Sequence, residues 1–218
     1  MKRPPLSVVI PAKDEAQALP GVLRAFKGAG LPRGWQGLVV DDGSSDGSGA
    51  LARRAGWRVL RTSGLGYGGA LQAGFAACKG EWLAFLDADG TYPPAELGRL
   101  WRQRPAGGMV LADRFTPANR MPFERRLGNR AFNALATLKL ARRVPDLCTG
   151  QRIFHRSLAP LAQGLPLGLD FSPAFTLACA RQGAPLAWVP IPYLDRQGHS
   201  KLGLWGDGWR FLGAILKG

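Results

Sequence analysis

Two short apolar runs in this chain end in paired carboxylates and then in glycine: Leu38-Val39-Val40-Asp41-Asp42-Gly43 and Leu83-Ala84-Phe85-Leu86-Asp87-Ala88-Asp89-Gly90. A continuous apolar run bounded by turn residues is the pattern of a strand buried on both faces. Open α/β sheets bind their ligands at the carboxyl ends of such strands. Two acidic strand ends in one chain therefore point to a site for a metal and a phosphorylated ligand. In the second turn the acids stand two apart, and residues at i and i+2 share one side of an extended chain, so Asp87 and Asp89 can approach one ligand. Taken alone, Asp-x-Asp before Gly90-Thr91-Tyr92-Pro93-Pro94 serves equally as a cap or turn.

The rest of the first half alternates in the same way. Strands are predicted at 6–11, 37–41, 57–61, 82–87, 108–112 and 187–191, with helices at 15–27, 48–55, 69–79 and 94–104 between the earlier ones. This β–α alternation argues for an α/β fold with a mostly parallel sheet covered on both faces, and right-handed crossovers bring the strand carboxyl ends to one edge. The second half is more helical. Over 123–142, Phe123, Leu127, Ala131 and Leu135 form an apolar line predicted to pack on the domain, while Arg126, Arg130, Asn133 and Thr137 share a polar face that aims Arg130 into a cleft. Shorter helices are expected at 172–181 and 201–216.

At 218 residues, 46% of them hydrophobic and 20% charged, the composition is that of a folded globular chain, and one domain is the expected organisation. The formal net charge of +14 is unusual and predicts anionic partners. No nucleic-acid fingerprint accompanies it, so phosphates on small molecules and lipids are preferred to nucleic acid. Cys78, Cys148 and Cys179 are too scattered for a disulfide framework or a zinc site and read as reduced. The apolar run after the charged start is cut short by Lys13-Asp14-Glu15, and no stretch has the length of a spanning helix. The glycines of Gly64-Leu65-Gly66-Tyr67-Gly68-Gly69 match the dinucleotide fingerprint literally but follow the third strand rather than the first, which argues against that reading.

Taken in order, segments 10–15, 39–47, 66–74, 85–94, 111–114, 128–133, 149–154 and 189–202 resemble the motifs of family 2 glycosyltransferases of the GT-A fold. The branch they are most similar to contains dolichol-phosphate mannosyltransferase and bacterial polyprenyl-phosphate glycosyltransferases. The resemblance implies inverting transfer of a sugar from a nucleotide sugar, of the GDP-mannose or UDP-glucose type, to a polyprenyl or dolichyl phosphate, with Mg2+ or Mn2+ as cofactor. It implies that Asp89 binds the metal and that Asp87 lies close to nucleotide or metal, with Ala88 between them. Asp42 would accept from the base and Glu15 from a ribose hydroxyl beside the Pro11-Ala12 backbone; for Glu15, a helix N-terminal charge is the competing reading. Arg114 and Arg130 would hold the lipid phosphate, and Arg196 and Lys201 the donor diphosphate, since guanidinium groups fit phosphate oxygens bidentately. Arg152 has a competing role as the ion-pair partner of Asp146.

Two departures from the family pattern bear on chemistry: Thr91 stands where relatives often carry Gln, and Ala174 where many carry Glu. A hydroxyl acceptor needs a general base, whereas an ionised phosphate does not, so the second departure suits a lipid phosphate. Asp170 is a possible substitute base. His155 and His199 have no partner at metal-ligand spacing.

Residues 1–115 are expected to bind the donor and 116–202 the acceptor. At the end of the chain, where 203–218 is a possible membrane-interface helix, Leu202, Trp205, Trp209, Leu212 and Leu216 recur at helical spacing, flanked by Lys201, Arg210 and Lys217. That pattern fits a helix lying in an anionic lipid interface, or one folded onto the domain. The resulting expectation is a peripheral protein at the cytoplasmic face of the cell membrane. A sugar-hydroxyl acceptor in cell-surface polysaccharide synthesis and a non-catalytic sugar-nucleotide-binding module are the alternatives, and oligomeric state is left open.

Overall fold

The computed structural model describes residues 3–116 and 119–198, and the helix at 204–217 with its side chains from 208 to 216. Its seven strands, β1 (Leu6–Ala12), β2 (Gln36–Asp41), β3 (Arg58–Arg61), β4 (Trp82–Leu86), β5 (Met109–Asp113), β6 (Gln151–His155) and β7 (Leu186–Pro190), form one sheet in the order β3-β2-β1-β4-β6-β5-β7. The pairs β3–β2, β2–β1, β1–β4 and β5–β7 are parallel, and β6 runs antiparallel to both its neighbours. The mostly parallel α/β architecture expected from the alternation is the one found.

Strand residues feed the two faces alternately, as a period of two requires. Val8 and Ile10 enter a core with Leu19, Val22 and Phe26 from the α1 (Leu19–Ala25) side, Ala52 of α2 (Ser48–Arg54), and Leu97 and Leu100 of α4 (Glu96–Gln103). Val9 enters the opposite core, with Leu71 and Phe75 of α3 (Gly66–Ala77) and Phe171 and Phe175 of α6 (Phe171–Arg181). In that second core Phe154 meets both Phe75 and Phe175 edge to face, each with ring centroids 5.0 Å apart. Such pairs add about 0.5–1.5 kcal/mol each beyond the area they bury.

Strand β6 was not expected from the sequence, because Arg152 sits in its middle and fully buried arginines are rare. The structure keeps this charge without a carboxylate. Arg152 Nη1 donates to the Ser172 carbonyl at 3.1 Å and to Thr176 Oγ1 at 2.7 Å, Nη2 donates to the Thr149 carbonyl, and the guanidinium lies 4.9 Å from the Phe85 ring. The suggested Arg152–Asp146 ion pair is not formed, since Asp146 binds Arg114 instead.

Helix α5 (Phe123–Leu140) faces opposite to its predicted orientation. Phe123 is 75% exposed and Leu127 60% exposed, whereas Asn133 and Ala136 are buried. Two contacts hold the helix there: Asn133 Nδ2 donates to the Pro145 carbonyl at 2.6 Å and its Oδ1 accepts from Leu147 N–H at 2.9 Å, and Ala136, with Phe132, Leu135 and Leu140 beside it, packs against Val144, Leu147 and Ile215. Helix α7 (Leu204–Lys217) docks through Phe211 and Ile215, with Phe211 against Phe132 of α5 at 5.7 Å, while Trp209 and Leu216 are exposed. The helix folds onto the domain along one face and presents the other. Leu202 lies outside the described residues, as does the side chain of Trp205.

Candidate active site

The turns after β1 and β2 are stitched together by short polar side chains. Asp14, at φ 48°, gives its N–H to Ser44 Oγ at 3.0 Å and takes the Ser45 N–H on its carboxylate at 2.8 Å. Glu15 N–H reaches Ser48 Oγ at 2.8 Å, and Ala16 N–H reaches Asp46 at 2.8 Å. Asp41 accepts from Ser44 N–H at 3.0 Å. Asp42 Oδ1 accepts from Thr62 Oγ1 at 2.6 Å and Leu65 N–H at 2.7 Å, and its Oδ2 from Gly66 N–H at 2.8 Å. Burial alone would raise the pKa of Asp42, but these donors, with Lys13, hold it below the ordinary carboxylate value. This carboxylate ties the start of α3 to the end of β2.

The turn after β4 is the opposite case. Desolvation first, and then the Asp89 charge, push Asp87 up to about 7, against the Tyr67 hydrogen bond, Arg114 and Arg196, which all lower it. Tyr67 Oη donates to Asp87 Oδ1 at 2.7 Å. The other oxygen lies against Gly150, where an added Cβ would stand 2.1 Å from Asp87 Oδ2. Asp89 accepts at Oδ1 from Thr91 N–H at 3.0 Å and Thr91 Oγ1 at 2.6 Å, so Thr91 orients the carboxylate. The guanidinium of Arg196 spans from Asp89 Oδ2 at 3.0 Å to Glu15 Oε1 at 3.3 Å.

These groups line a cleft of about 510 Å³. Pro11, Ala12, Glu15, Asp42, Asp87, Ala88, Asp89, Arg114 and Arg196 all border it, so the sheet edge gathers nine of the residues singled out in the sequence. Arg114 is buried, with its fork on Asp146: Nε to Oδ2 at 2.7 Å and Nη2 to Oδ1 at 2.8 Å. Desolvation alone would lower its pKa, and the Asp146 carboxylate reverses this, holding the guanidinium well above the usual arginine value.

Arg130 is not aimed at the cleft. It is exposed on the outer side of α5, and Arg125, Asn129 and Phe132 of the same helix line the cleft in its place. Arg210 of α7 lines the cleft as well, whereas Asp170 lies outside it. Lys201 and His199 fall outside the described residues. Tyr67 went unnoticed in the sequence because it occupies a variable slot of a glycine motif, and Arg125 because its neighbours Arg126 and Arg130 fitted the assumed helix face.

A divalent cation fits the donor set at Asp87 and Asp89. The two carboxylates border the cleft two residues apart, and the Asp89 charge adds to desolvation in raising Asp87, an effect a cation between them would oppose. Among the described residues no cluster of three or more His, Cys, Asp or Glu side chains is arranged to hold a metal, so further ligands would come from phosphate oxygens and water, the habit of Mg2+ at nucleotide sites.

Residues 7–160 match the family model described as Glycosyl transferase family 2. The chain is 32% identical over 214 residues to a dolichyl-phosphate hexose transferase of Haloferax volcanii, covering 97% of this chain and 92% of that protein. It is 30% identical over 218 residues to a polyprenol monophosphomannose synthase of Mycolicibacterium smegmatis, covering 89% of this chain and 80% of that one. It spans about half the length of a longer curated relative, a hexosyltransferase of Haloferax volcanii. Among solved structures, glucosyl-3-phosphoglycerate synthase from Mycobacterium tuberculosis, crystallised with Mn2+, UDP and glucosyl-3-phosphoglycerate, superposes with a TM-score of 0.78 at 20% identity. The superposition covers 97% of this chain and 78% of that one, and the shared fold is GT-A. A family model over residues 7–160 and two relatives at 30% identity or more, each matched along most of its length, establish that this chain belongs to glycosyl transferase family 2.

Proposed function

We propose that the protein transfers a hexose from a nucleoside diphosphate sugar to a polyprenyl phosphate. The observation that carries this reading is that strand-end carboxylates and arginines from both halves of the chain line one cleft. Glu15, Asp42, Asp87 and Asp89, after β1, β2 and β4, share the lining with Lys13, and the later half of the chain adds Arg114 after β5, Glu124 and Arg125 of α5 and Arg210 of α7, with Arg196 between Asp89 and Glu15. The names of the two relatives, a dolichyl-phosphate hexose transferase and a polyprenol monophosphomannose synthase, support the same acceptor class.

In this reading residues 1–115 hold the donor and 116–202 the acceptor. Asp87 and Asp89 hold Mg2+ or Mn2+, which when bound neutralises charge on the departing diphosphate. Arg196 exchanges its carboxylate partners for diphosphate oxygens, with Lys201 as a second cation. Glu15 and Asp42 face the nucleoside beside the Pro11-Ala12 backbone. Arg114, held by Asp146, presents its remaining N–H groups to the acceptor side, and Arg125 takes the place given to Arg130 in the sequence reading. The acceptor phosphate is ionised at neutral pH and attacks the anomeric carbon without a general base, consistent with Ala174 in α6 and with Asp170 outside the cleft. No helix among the described residues is long and apolar enough to cross a membrane, and the enzyme would meet its acceptor as a peripheral protein at the cytoplasmic face.

The test is transfer from labelled UDP-glucose and GDP-mannose, with Mn2+, to a polyprenyl phosphate in detergent. An acid-labile product that partitions into organic solvent is expected. Label moved only to sugar hydroxyls, or donor hydrolysis with no lipid product under any donor, would overturn the reading.

A further inference from the structure

One guanidinium joins the turns after β1 and β4 inside the cleft. Arg196 Nη1 lies 3.0 Å from Asp89 Oδ2, and its Nη2 lies 3.3 Å from Glu15 Oε1. The two oxygens of Asp89 are not equivalent. Oδ1 is filled by Thr91, through its N–H at 3.0 Å and its hydroxyl at 2.6 Å. A carboxylate oxygen offers about two lone pairs, so Oδ2 is the oxygen of Asp89 with room for a further ligand, and Arg196 is on it.

Two more features mark this contact as one that can be exchanged. The backbone on either side of Arg196 is fixed to the Asp89 turn: Leu194 N–H donates to the Thr91 carbonyl at 3.0 Å, and Gln197 N–H to the Asp89 carbonyl at 3.0 Å. The partly exposed guanidinium can therefore leave Asp89 by a change of rotamer while the chain stays in place. Its remaining nitrogen, Nε, is buried without a hydrogen-bond partner among the described residues. A guanidinium that pairs with two carboxylates and still strands a donor has capacity that a diphosphate, rich in acceptor oxygens, would use.

We propose that Arg196 and the divalent cation exclude one another at Asp89 Oδ2, and that the donor diphosphate ends the competition by drawing Arg196 onto its own oxygens. The inference rests on the reading of Asp89 as a metal ligand given above, and adds that a cation of the chain itself guards the metal position. Two positive charges on one oxygen repel, so metal alone binds weakly. Once a diphosphate takes the guanidinium, Oδ2 accepts the metal, and the two ligands bind as a coupled pair. Without a donor, Arg196 lends Asp89 and Glu15 the neutralising charge that the metal and its ligands supply later.

The test is Mn2+ binding to the full chain, followed through the paramagnetic resonance signal of free Mn2+, with and without UDP or GDP. Without nucleotide, Arg196→Gln should bind Mn2+ about tenfold more tightly than wild type, and Arg196→Lys, which keeps the charge but cannot span two carboxylates, about threefold more tightly. Lys13→Gln removes another cation of the cleft lining, one whose charge acts on Asp42, and should change Mn2+ affinity by less than about twofold. With the nucleotide saturating, the gain in Arg196→Gln should shrink to about twofold or less, because wild type has by then moved its own guanidinium. Nucleotide binding without metal should weaken by about tenfold in the same variant. Tighter metal with looser nucleotide is the signature of exchange, since a merely structural role for Arg196 would weaken both. Thermal melts check that each variant is folded, and Arg196→Lys carries the comparison if Arg196→Gln is not.

Equal Mn2+ affinity in wild type and the Arg196 variants would overturn the proposal. So would an equal gain in Lys13→Gln, which would assign the effect to the general field of the cleft, or a gain that nucleotide leaves undiminished. Mn2+ binding that survives Asp89→Asn unchanged would remove Asp89 from the metal site and the proposal with it. If metal and nucleotide respond as expected but no polyprenyl phosphate accepts sugar, the exchange stands and the acceptor assignment fails.

Discussion

The two acidic turns are close to interchangeable as sequence, and the folded protein uses them in opposite ways. After β2, Asp41, Asp42 and Asp46 spend their oxygens on the Ser44, Leu65, Gly66, Ala16 and Ser48 N–H groups and on the Thr62 and Ser48 hydroxyls. After β4, Asp87 accepts from the Tyr67 hydroxyl and is pushed up to about 7 by desolvation and by Asp89. A carboxylate whose donors come from the backbone of neighbouring turns holds the fold. One crowded by a like charge at a cleft is arranged for a ligand that brings positive charge. Even glycine takes part on both sides: an added Cβ at Gly49 would lie 2.2 Å from Asp41 Oδ2, and one at Gly150 2.1 Å from Asp87 Oδ2.

The contrast is open to direct attack. Asp89→Asn should lower turnover by at least about a hundredfold while moving the melting temperature by no more than roughly 2–4 °C, because it removes a metal-ligand charge without changing shape. Steady-state kinetics beside a thermal melt decides this, and near-wild-type turnover would remove Asp89 from the metal site. Asp42→Asn should show the reverse signature. Replacing an oxygen that accepts from backbone N–H groups costs about 2 kcal/mol, or roughly 4–8 °C for a chain of this size, with turnover below the melt reduced less than tenfold. A variant that melts normally yet is inactive would erase the distinction between the turns.

The paired glycines sharpen the comparison further. Gly150→Ala should weaken Mn2+ binding by about tenfold by displacing Asp87, whereas Gly49→Ala should lower stability and leave metal affinity within about twofold; calorimetric titration of both variants separates these outcomes. Metal affinity should also depend on pH. Because the metal needs Asp87 ionised and its pKa is about 7, affinity is full above that value and falls roughly tenfold per pH unit below it. The Tyr67 hydrogen bond favours the charged carboxylate, so Tyr67→Phe should move the onset of this fall to higher pH. An onset that stays put would show that Tyr67 does not tune the site. The smallest effect is expected at Arg130→Ala, whose exposed side chain should leave the KM for a soluble short-chain acceptor within about twofold of wild type.

Much of the donor side was legible in the sequence because it is local. Apolar runs, turn residues and their alternation with helices are set by neighbours a few positions apart, and the edge that gathers Pro11, Asp42 and Asp87 follows from the handedness of parallel crossovers. The second half was less legible because its decisive contacts are distant. Arg114 meets Asp146 across 32 residues, and Arg152 finds its hydroxyl at Thr176 across 24. Nothing in the local pattern around Arg152 says that a strand will carry a charge into the core.

The sequence by itself determined the α/β class, the glycosyltransferase motifs and the acidic edge, since strand periodicity and turn chemistry act at short range. Which helix face turns inward, and which carboxylates are spent on the fold and which are left crowded, were decided only by tertiary structure. Asn133 carries no apolar signal, yet its two hydrogen bonds to the chain at Pro145 and Leu147, with the packing of Ala136, turn α5 so that Phe123, Leu127 and Arg130 together face solvent. The physical reason is that a buried polar group must find its partners wherever the chain brings them, and here it does so on the face that also packs Ala136 and Phe132 against Val144, Leu147 and Ile215, segments distant in sequence.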